Sequence, residues 1–192
     1  MSYQTYTTEA IVCGTFNKNT ADRSYLLFTR EAGMLYAEAR SVREERSRQR
    51  MALQDFSFVR VSLVKGKSSW KVGSIQSEKN FFLSAGDKEA RGSVVSITKF
   101  IRRFYGGQEA APVLFDYVVG ALQLLSSFTT HRDFLEKIIQ TRILFELGYV
   151  DVKVLPEAVM SEVEALASIV TSDSDILKLK PIIEKAVSFS HL

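Results

Sequence analysis

The segment RSYLLFTREAGMLYAEAR, residues 23–40, is the strongest indication of the architecture of this chain. Residues 23–29 are mostly apolar and aromatic, and residues 34–39 repeat that composition after the Glu-Ala-Gly of residues 31–33. Short apolar runs joined by a glycine-containing turn are typical of a β-hairpin. The segment therefore predicts the second and third strands of an antiparallel meander.

Further strands are predicted on both sides of this hairpin. Residues 7–16 (TTEAIVCGTF) form the first strand, and alternation resumes over residues 56–63 and again over residues 70–75. Five short strands, with a break of about 15 residues between the third and fourth, match an OB-fold. An SH3-like barrel fits nearly as well.

The apolar period becomes helical after Ser84. Three helices are predicted: one ending at residues 106–107, one beginning near Pro112, and one running from a capping-box-like Thr130 to Gly148. The third is so apolar that it should lie at the centre of an all-α bundle.

Two more helices are expected over about residues 156–171 and 175–189. The predicted fold class is α+β, with an OB-fold nucleic-acid-binding domain over residues 1–82 and an all-α helical domain over residues 83–192.

Composition excludes several classes of protein. With 46% hydrophobic and 24% charged residues, the chain is not expected to be disordered. No apolar run is long enough to span a membrane and the first residues do not resemble a signal peptide, so a cytoplasmic protein is expected. One cysteine, Cys13, and two distant histidines predict no disulfide, no metal and no cofactor.

No catalytic constellation is found in the sequence. Gly66-Lys67-Ser68 copies the end of a P-loop, but Val61 stands where the first glycine is required. Neither histidine lies near a nucleophile elbow, and the Glu44-Glu45 pair lies in a solvated run. We therefore expect no enzyme activity.

Positive charge is concentrated in the first half of the chain. Residues 1–80 carry 13 Lys and Arg against 8 Asp and Glu, whereas residues 81–192 carry 12 against 14. Residues 40–71 carry nine basic and three acidic residues. The arginine segment, residues 40–50 (RSVREERSRQR), has Val42 as its one apolar anchor and should be an exposed loop or short helix between strands. Because arginine suits bidentate phosphate contacts, a polyanionic partner is predicted.

The candidate contacts to nucleic acid are basic side chains and aromatic side chains that could stack on bases. Tyr36 is a stacking candidate, Trp70 is balanced between stacking and core packing, and Phe58, in phase with Phe56, is predicted to be core. The basic candidates are Arg40, Arg43, Arg46, Arg48, Arg50, Lys65, Lys67 and Lys71.

Five motifs follow one another along the chain: TEAIV (8–12), LLFTREAGMLYAEAR (26–40), ALQDFSFV (52–59), LVKGKSSW (63–70) and FELGY (145–149). Together they resemble the RecO family of bacterial recombination-mediator proteins over about residues 7–150. The resemblance implies an OB-fold followed by a helical domain, binding of single- and double-stranded DNA, and strand annealing. It also implies loading of recombinase onto strands coated by single-stranded-DNA-binding protein, with RecR as a partner.

The resemblance also implies roles for particular residues. Basic positions around the family's barrel are matched by Arg23, Arg40, Arg43, Arg48 and Arg50. Lys137 matches a basic position that helps to receive the acidic, Phe-terminated tail of single-stranded-DNA-binding protein, and the further partner-binding candidates are Arg102, Arg103 and Arg142.

Two departures from the family pattern stand out. Many members carry a four-cysteine zinc insertion after the FELGY motif, whereas this chain has no cysteine there, so a short form without the zinc module is expected. Asp55 stands where the family has proline. Two alternatives therefore stay open: a protein-interaction adaptor with weak DNA binding, and an RNA-binding OB-fold protein of the translation apparatus.

Overall fold

The computed structural model describes residues 5–67, 69–127, 131–168 and 173–189, without the side chains of residues 173–176 and 189. The chain divides into two compact units, Met1–Ser84 with Gly107–Phe115, and Ala85–Gly106 with Asp116–Leu192. The predicted domain ranges, 1–82 and 83–192, stay a prediction.

The first unit contains the five predicted strands. They are β1 (Thr5–Asn17), β2 (Arg23–Thr29), β3 (Gly33–Ala39), β4 (Ser57–Lys65) and β5 (Trp70–Asn80), with the one-turn helix α1 (Gln49–Ala52) between β3 and β4. β1 is the longest strand and pairs antiparallel with both β2 and β4. β2 pairs with β3 and β4 with β5, and a short parallel pair of β3 with β5 closes the barrel in the order β1-β2-β3-β5-β4. This is the OB-fold, which confirms the predicted α+β class and sets aside the SH3-like alternative.

Alternate side chains of the strands fill the barrel interior. Ala10, Val12, Tyr25 and Leu27 point inward from β1 and β2, and each is 0% exposed. Val42 and Leu53, from the connection between β3 and β4, join the same core at 0% and 1% exposure. Val42 therefore anchors the arginine segment, as its isolated apolar side chain predicted.

The position of Phe58 differs from the prediction. The interior face of β4 consists of Val59, Val61 and Leu63, so Phe58 points to the outer face. There its ring lies 6.2 Å from that of Phe81 and 6.4 Å from that of Phe115. Phe56 precedes β4 with a φ of 69°, and this left-handed residue breaks the phase from which a core position for Phe58 was inferred.

The second unit is helical. It contains α2 (Lys88–Phe104), α3 (Pro112–Ser127, whose first turn belongs to the first unit), α4 (Arg132–Glu146), α5 (Val163–Leu166) and α6 (Asp173–Phe189), with 3₁₀ turns at Val152–Val154 and Glu157–Met160. α4 packs against α2, α6 and the second 3₁₀ turn, which confirms its predicted central position. None of the described helices combines the length and apolar character needed to cross a membrane.

Buried Arg132 connects three of these helices. It is 9% exposed, donates to the carbonyl oxygen of Leu125 in α3, and lies 3.6 Å from the carboxylate of Asp87. Asp87 in turn caps α2 by accepting a hydrogen bond of 2.6 Å from the amide of Ala90. Local capping and a buried cation therefore fix the start of α2 and of α4 together.

One prediction about this unit is wrong. The helix expected over residues 156–171 is replaced, within its described part, by the second 3₁₀ turn and α5. Val159, Val163 and Leu166 are buried at helical spacing, but Ser161 and Glu162 between them have ψ values of 149° and 153°, which interrupt the helix. Thr130, the predicted capping-box residue of α4, lies outside the described residues. The residue before α4 is His131, whose side chain makes no capping hydrogen bond.

Candidate nucleic-acid interface

The outer face of β1, β2 and β3 presents two exposed aromatic rings. Tyr36 in β3 is 56% exposed and Phe16 near the end of β1 is 39% exposed, with ring centroids 5.8 Å apart. Leu35 and Ala37, on either side of Tyr36, point into the core. OB-folds bind oligonucleotides across this face, and exposed rings offer stacking platforms for bases.

Sequence reasoning missed Phe16 because of a β-bulge. The register of β1 against β2 shifts between Val12 and Gly14, so one extra residue reverses the alternation. Val12 points inward, and unbroken alternation would place Phe16 inward as well. The bulge instead pairs Phe16 with Ser24 on the outer face. A glycine within a predicted strand was the available signal.

Cationic groups flank the two rings. Lys18 pairs with Glu38, and Glu38 stands opposite Lys71 in the parallel β3–β5 pair. The hydrogen bond from Lys18 holds the pKa of Glu38 below its usual range, with Ser69 and Lys71 adding to the effect. Glu38 therefore stays ionised and positions two lysines at the margin of the aromatic face. Lys18 was a second residue that sequence reasoning missed.

The arginine segment is exposed as predicted. Its side chains Arg40, Arg43, Arg46, Arg48 and Arg50 are all exposed, and α1 begins within it at Gln49. The side chain of Gln49 donates a hydrogen bond of 2.7 Å to the carbonyl oxygen of Gly73 in β5. The segment thus carries its charges on a backbone that is held to the barrel at Val42 and at α1.

The turn between β1 and β2 holds the beginning of this segment. Asp22 accepts a hydrogen bond of 2.8 Å from the amide of Ser41, and Asn19 donates one of 2.9 Å to the other oxygen of the same carboxylate. These two hydrogen bonds lower the pKa of Asp22. Arg43 donates to the carbonyl oxygen of Asn19 at 3.0 Å. The arginine segment is therefore docked at its start rather than loose.

Arg23 is less accessible than the arginine segment. It is half-buried between Asn17 and Ala39 in the sheet, and its Nε atom is buried without a hydrogen-bond partner among the described residues. The structure does not bring Arg23 onto the exposed aromatic face, and its assignment to DNA stays a prediction.

The β4–β5 hairpin carries a second basic cluster. Lys65 and Lys67 are exposed, Lys71 is half-buried, and Gly66 makes the tight turn, where a Cβ atom would lie 2.8 Å from the carbonyl oxygen of Ser69. Trp70 is half-buried and packs on the barrel core. Its ring meets Tyr6 edge-on at 5.5 Å, and the ammonium of Lys65 lies 5.6 Å from its centroid. The surroundings of Trp70 favour packing over stacking on a base.

The four partner-binding candidates lie in the helical unit. Lys137 is half-buried on α4, but Phe134 and Ile138, expected to form an apolar groove beside it, are buried at 2% and 0% exposure. Arg142 has its guanidinium between the rings of Tyr117 and Phe145, at 5.3 and 5.9 Å. It also pairs with Glu146 at 2.6 Å and donates to the carbonyl oxygen of Val159.

Arg102 and Arg103 lie on the exposed side of α2, and Arg103 donates to the carbonyl oxygen of Val187 at 3.3 Å. An apolar cleft of about 460 Å³ lies elsewhere in this unit, and Tyr149, Val154, Ile182 and Lys185 form part of its wall.

Comparison with known proteins finds one family model and several relatives that share a name. Residues 1–80 match the family model described as recombination protein O N terminal. The chain is 30% identical over 144 residues to a protein named DNA repair protein RecO from Heliobacterium modesticaldum, covering 75% of this chain and 52% of that protein. A protein of the same name from Dehalococcoides mccartyi is 25% identical over 144 residues, covering 75% and 56%, and one from Desulfitobacterium hafniense is 36% identical over 76 residues, covering 40% and 28%. The chain spans about half the length of the first two relatives.

Proposed function

This chain belongs to the RecO family, and from that premise we propose that it is a DNA repair protein that binds single- and double-stranded DNA through its barrel. The observation that carries the proposal is the aromatic face formed by Phe16 and Tyr36, with cations on its margins. Rings supply stacking that tolerates any base, and the cations neutralise phosphates.

The proposed activity is strand annealing without catalysis. Two strands repel one another through their phosphates, and the arginine segment and the β4–β5 hairpin supply the cations with which the barrel neutralises the strand that it holds. Neutralising the phosphates of that strand lowers the repulsion that slows pairing. The energy comes from counterion release and base stacking, so no metal, cofactor or covalent step is required.

Binding of a labelled single-stranded oligonucleotide at several salt concentrations tests the proposal. If about 3 to 5 phosphates are neutralised, log K should fall with log[salt] with a slope of about −2 to −4, without strong sequence preference. Affinity that does not depend on salt, or no binding at low salt, would contradict it.

Variants locate the site. Changing Arg46, Arg48 and Arg50 together to alanine should weaken DNA binding and leave the melting temperature nearly unchanged, because these side chains are exposed. Changing Lys153, Lys178 and Lys180 to alanine removes the same charge from the helical unit and is the matched control. Preference for RNA over DNA would favour the translation alternative, and binding of RecR without DNA would favour the adaptor.

We assign the helical unit to protein partners, namely RecR and the C-terminal tail of single-stranded-DNA-binding protein. A cation beside an apolar surface suits an acidic tail that ends in Phe. Lys137 is the candidate that the family resemblance implies, and Lys185, which lies at the apolar cleft, is a further candidate. Titrating the tail peptide against the Lys137→Glu and Lys185→Glu variants distinguishes the two lysines. Only substitution of the lysine that contacts the peptide should weaken binding. A cytoplasmic, nucleoid-associated location without membrane contact is part of this proposal.

A further inference from the structure

Positive charge in the second half of the chain is concentrated on α2. Five of the seventeen residues of α2 are Lys or Arg and one, Glu89, is acidic. By contrast, residues 105–192 carry 7 Lys and Arg against 12 Asp and Glu. A helix of net charge +4 followed by an acidic sequence is a local feature that general basicity does not explain.

The five cations share one side of the helix. The buried side of α2 is formed by residues such as Val94, Ile97 and Ile101, at 0–1% exposure. The opposite side, called here the α2 basic face, consists of Lys88, Arg91, Lys99, Arg102 and Arg103, all of them exposed. At 1.5 Å per residue, Lys88 and Lys99 stand about 16 Å apart along the axis, so the face is long enough to contact several phosphates of one strand.

Gly92 lies in the middle of this face. Glycine inside a helix costs about 1 kcal/mol relative to alanine. Packing does not require it here, because a Cβ atom at Gly92 would meet nothing within 4 Å. The glycine leaves a shallow floor between Lys88 and Lys99, over which a chain of phosphates can approach the helix closely.

We infer that the α2 basic face is a second binding surface for the phosphate backbone of nucleic acid, separate from the barrel face. Exposed cations along one side of a helix, with a glycine floor between them, suit a phosphate backbone rather than bases. The inference rests on the proposed function, because annealing needs two strands on one molecule and the second surface supplies the second strand.

Native mass spectrometry of the whole chain with dT12 counts the strands bound to each molecule. The wild type should bind two strands, and Lys88→Glu with Lys99→Glu should bind one, with the affinity for the second strand at least tenfold lower. Lys178→Glu with Lys180→Glu makes the same charge change on exposed lysines of α6 and should still bind two. Loss of two phosphate contacts should also reduce the magnitude of the slope of log K against log[salt] for the second strand by about 1.4.

Gly92→Gln supplies a variant without a charge change. It raises helix propensity and meets open space, so the protein should fold at least as well, while the added bulk should weaken the second strand. If the wild type, the α2 variants and the α6 control all bind two strands with equal affinity, the inference is overturned. The barrel proposal is unaffected by that result. No strand bound by the wild type would overturn both. If the α2 variants no longer bind a polyglutamate peptide that the wild type binds, but still bind both strands, the inference is overturned in favour of a protein-docking surface.

Discussion

The guanidinium of Arg142 is engaged in contacts within the protein. Its guanidinium lies between the rings of Tyr117 and Phe145, pairs with Glu146, and donates to Val159 in the second 3₁₀ turn. Arg142→Ala should lower the free energy of unfolding by about 2 to 3 kcal/mol, because a charged hydrogen bond and ring contacts are lost. Urea denaturation measures this. Lys99→Ala, an exposed cation of the same unit, should change stability by less than about 0.5 kcal/mol; equal effects would leave Arg142 available to a partner.

Tyr117 should make the protein sensitive to alkaline pH. It is 8% exposed, and burial raises the pKa of its hydroxyl well above the ordinary value of about 10. Above pH 10 the unfolded chain releases this proton and the folded chain keeps it, so stability falls as pH rises. The melting temperature should therefore drop between pH 9 and 11, and less steeply in Tyr117→Phe. Tyr25, whose pKa is also raised by burial, contributes to the slope that remains. Identical pH profiles would contradict this account.

The turn between β1 and β2 acts on DNA binding through the arginine segment. Asp22→Ala removes a negative charge, and by charge alone it should tighten DNA binding. If Asp22 holds the segment in place through Ser41, the loss of that hydrogen bond should instead weaken binding severalfold. Asp55→Ala removes the same charge from a carboxylate bonded to Thr15 and is the control. Anisotropy titrations that show tighter binding for both variants would refute the positioning role.

Strands and helices differed in how far the sequence could predict them. The hairpin of β2 and β3 could be predicted because two short apolar runs meet at a glycine turn at Gly33, where φ is 63°. The face of Phe16 was not readable, since it depends on a single bulged residue in β1. The spacing of Val159, Val163 and Leu166 predicted one helix, but burial at helical spacing does not require continuous helical backbone. The composition of the arginine segment predicted exposure, whereas its docking through Asp22 depends on contacts between residues far apart in sequence.

For the molecule as a whole, a chelator should leave the melting temperature unchanged. Cys13 is buried at 3% exposure, and the part of the chain that the structure describes contains no group of three or more His, Cys, Asp and Glu suited to a metal. A metal that stabilises a fold makes unfolding depend on its removal. Thermal unfolding with and without EDTA, together with metal analysis of the purified protein, checks this expectation. Stoichiometric zinc, or a lower melting temperature in EDTA, would contradict it.

The β3–β5 pair that closes the barrel joins Ala37 to Trp70 and Glu38 to Lys71. Because this seam is so short, it should be the first part of the barrel to open locally. Local opening is easiest where few backbone hydrogen bonds must break. Amide protons at the seam should therefore exchange faster than those of β1. Trp70 is the sole tryptophan of the chain, so its fluorescence is a built-in reporter of that opening. An opened seam also exposes two unpaired strand edges, which can pair with another molecule. Aggregation on heating should thus begin at the β3–β5 seam, before the rest of the barrel unfolds.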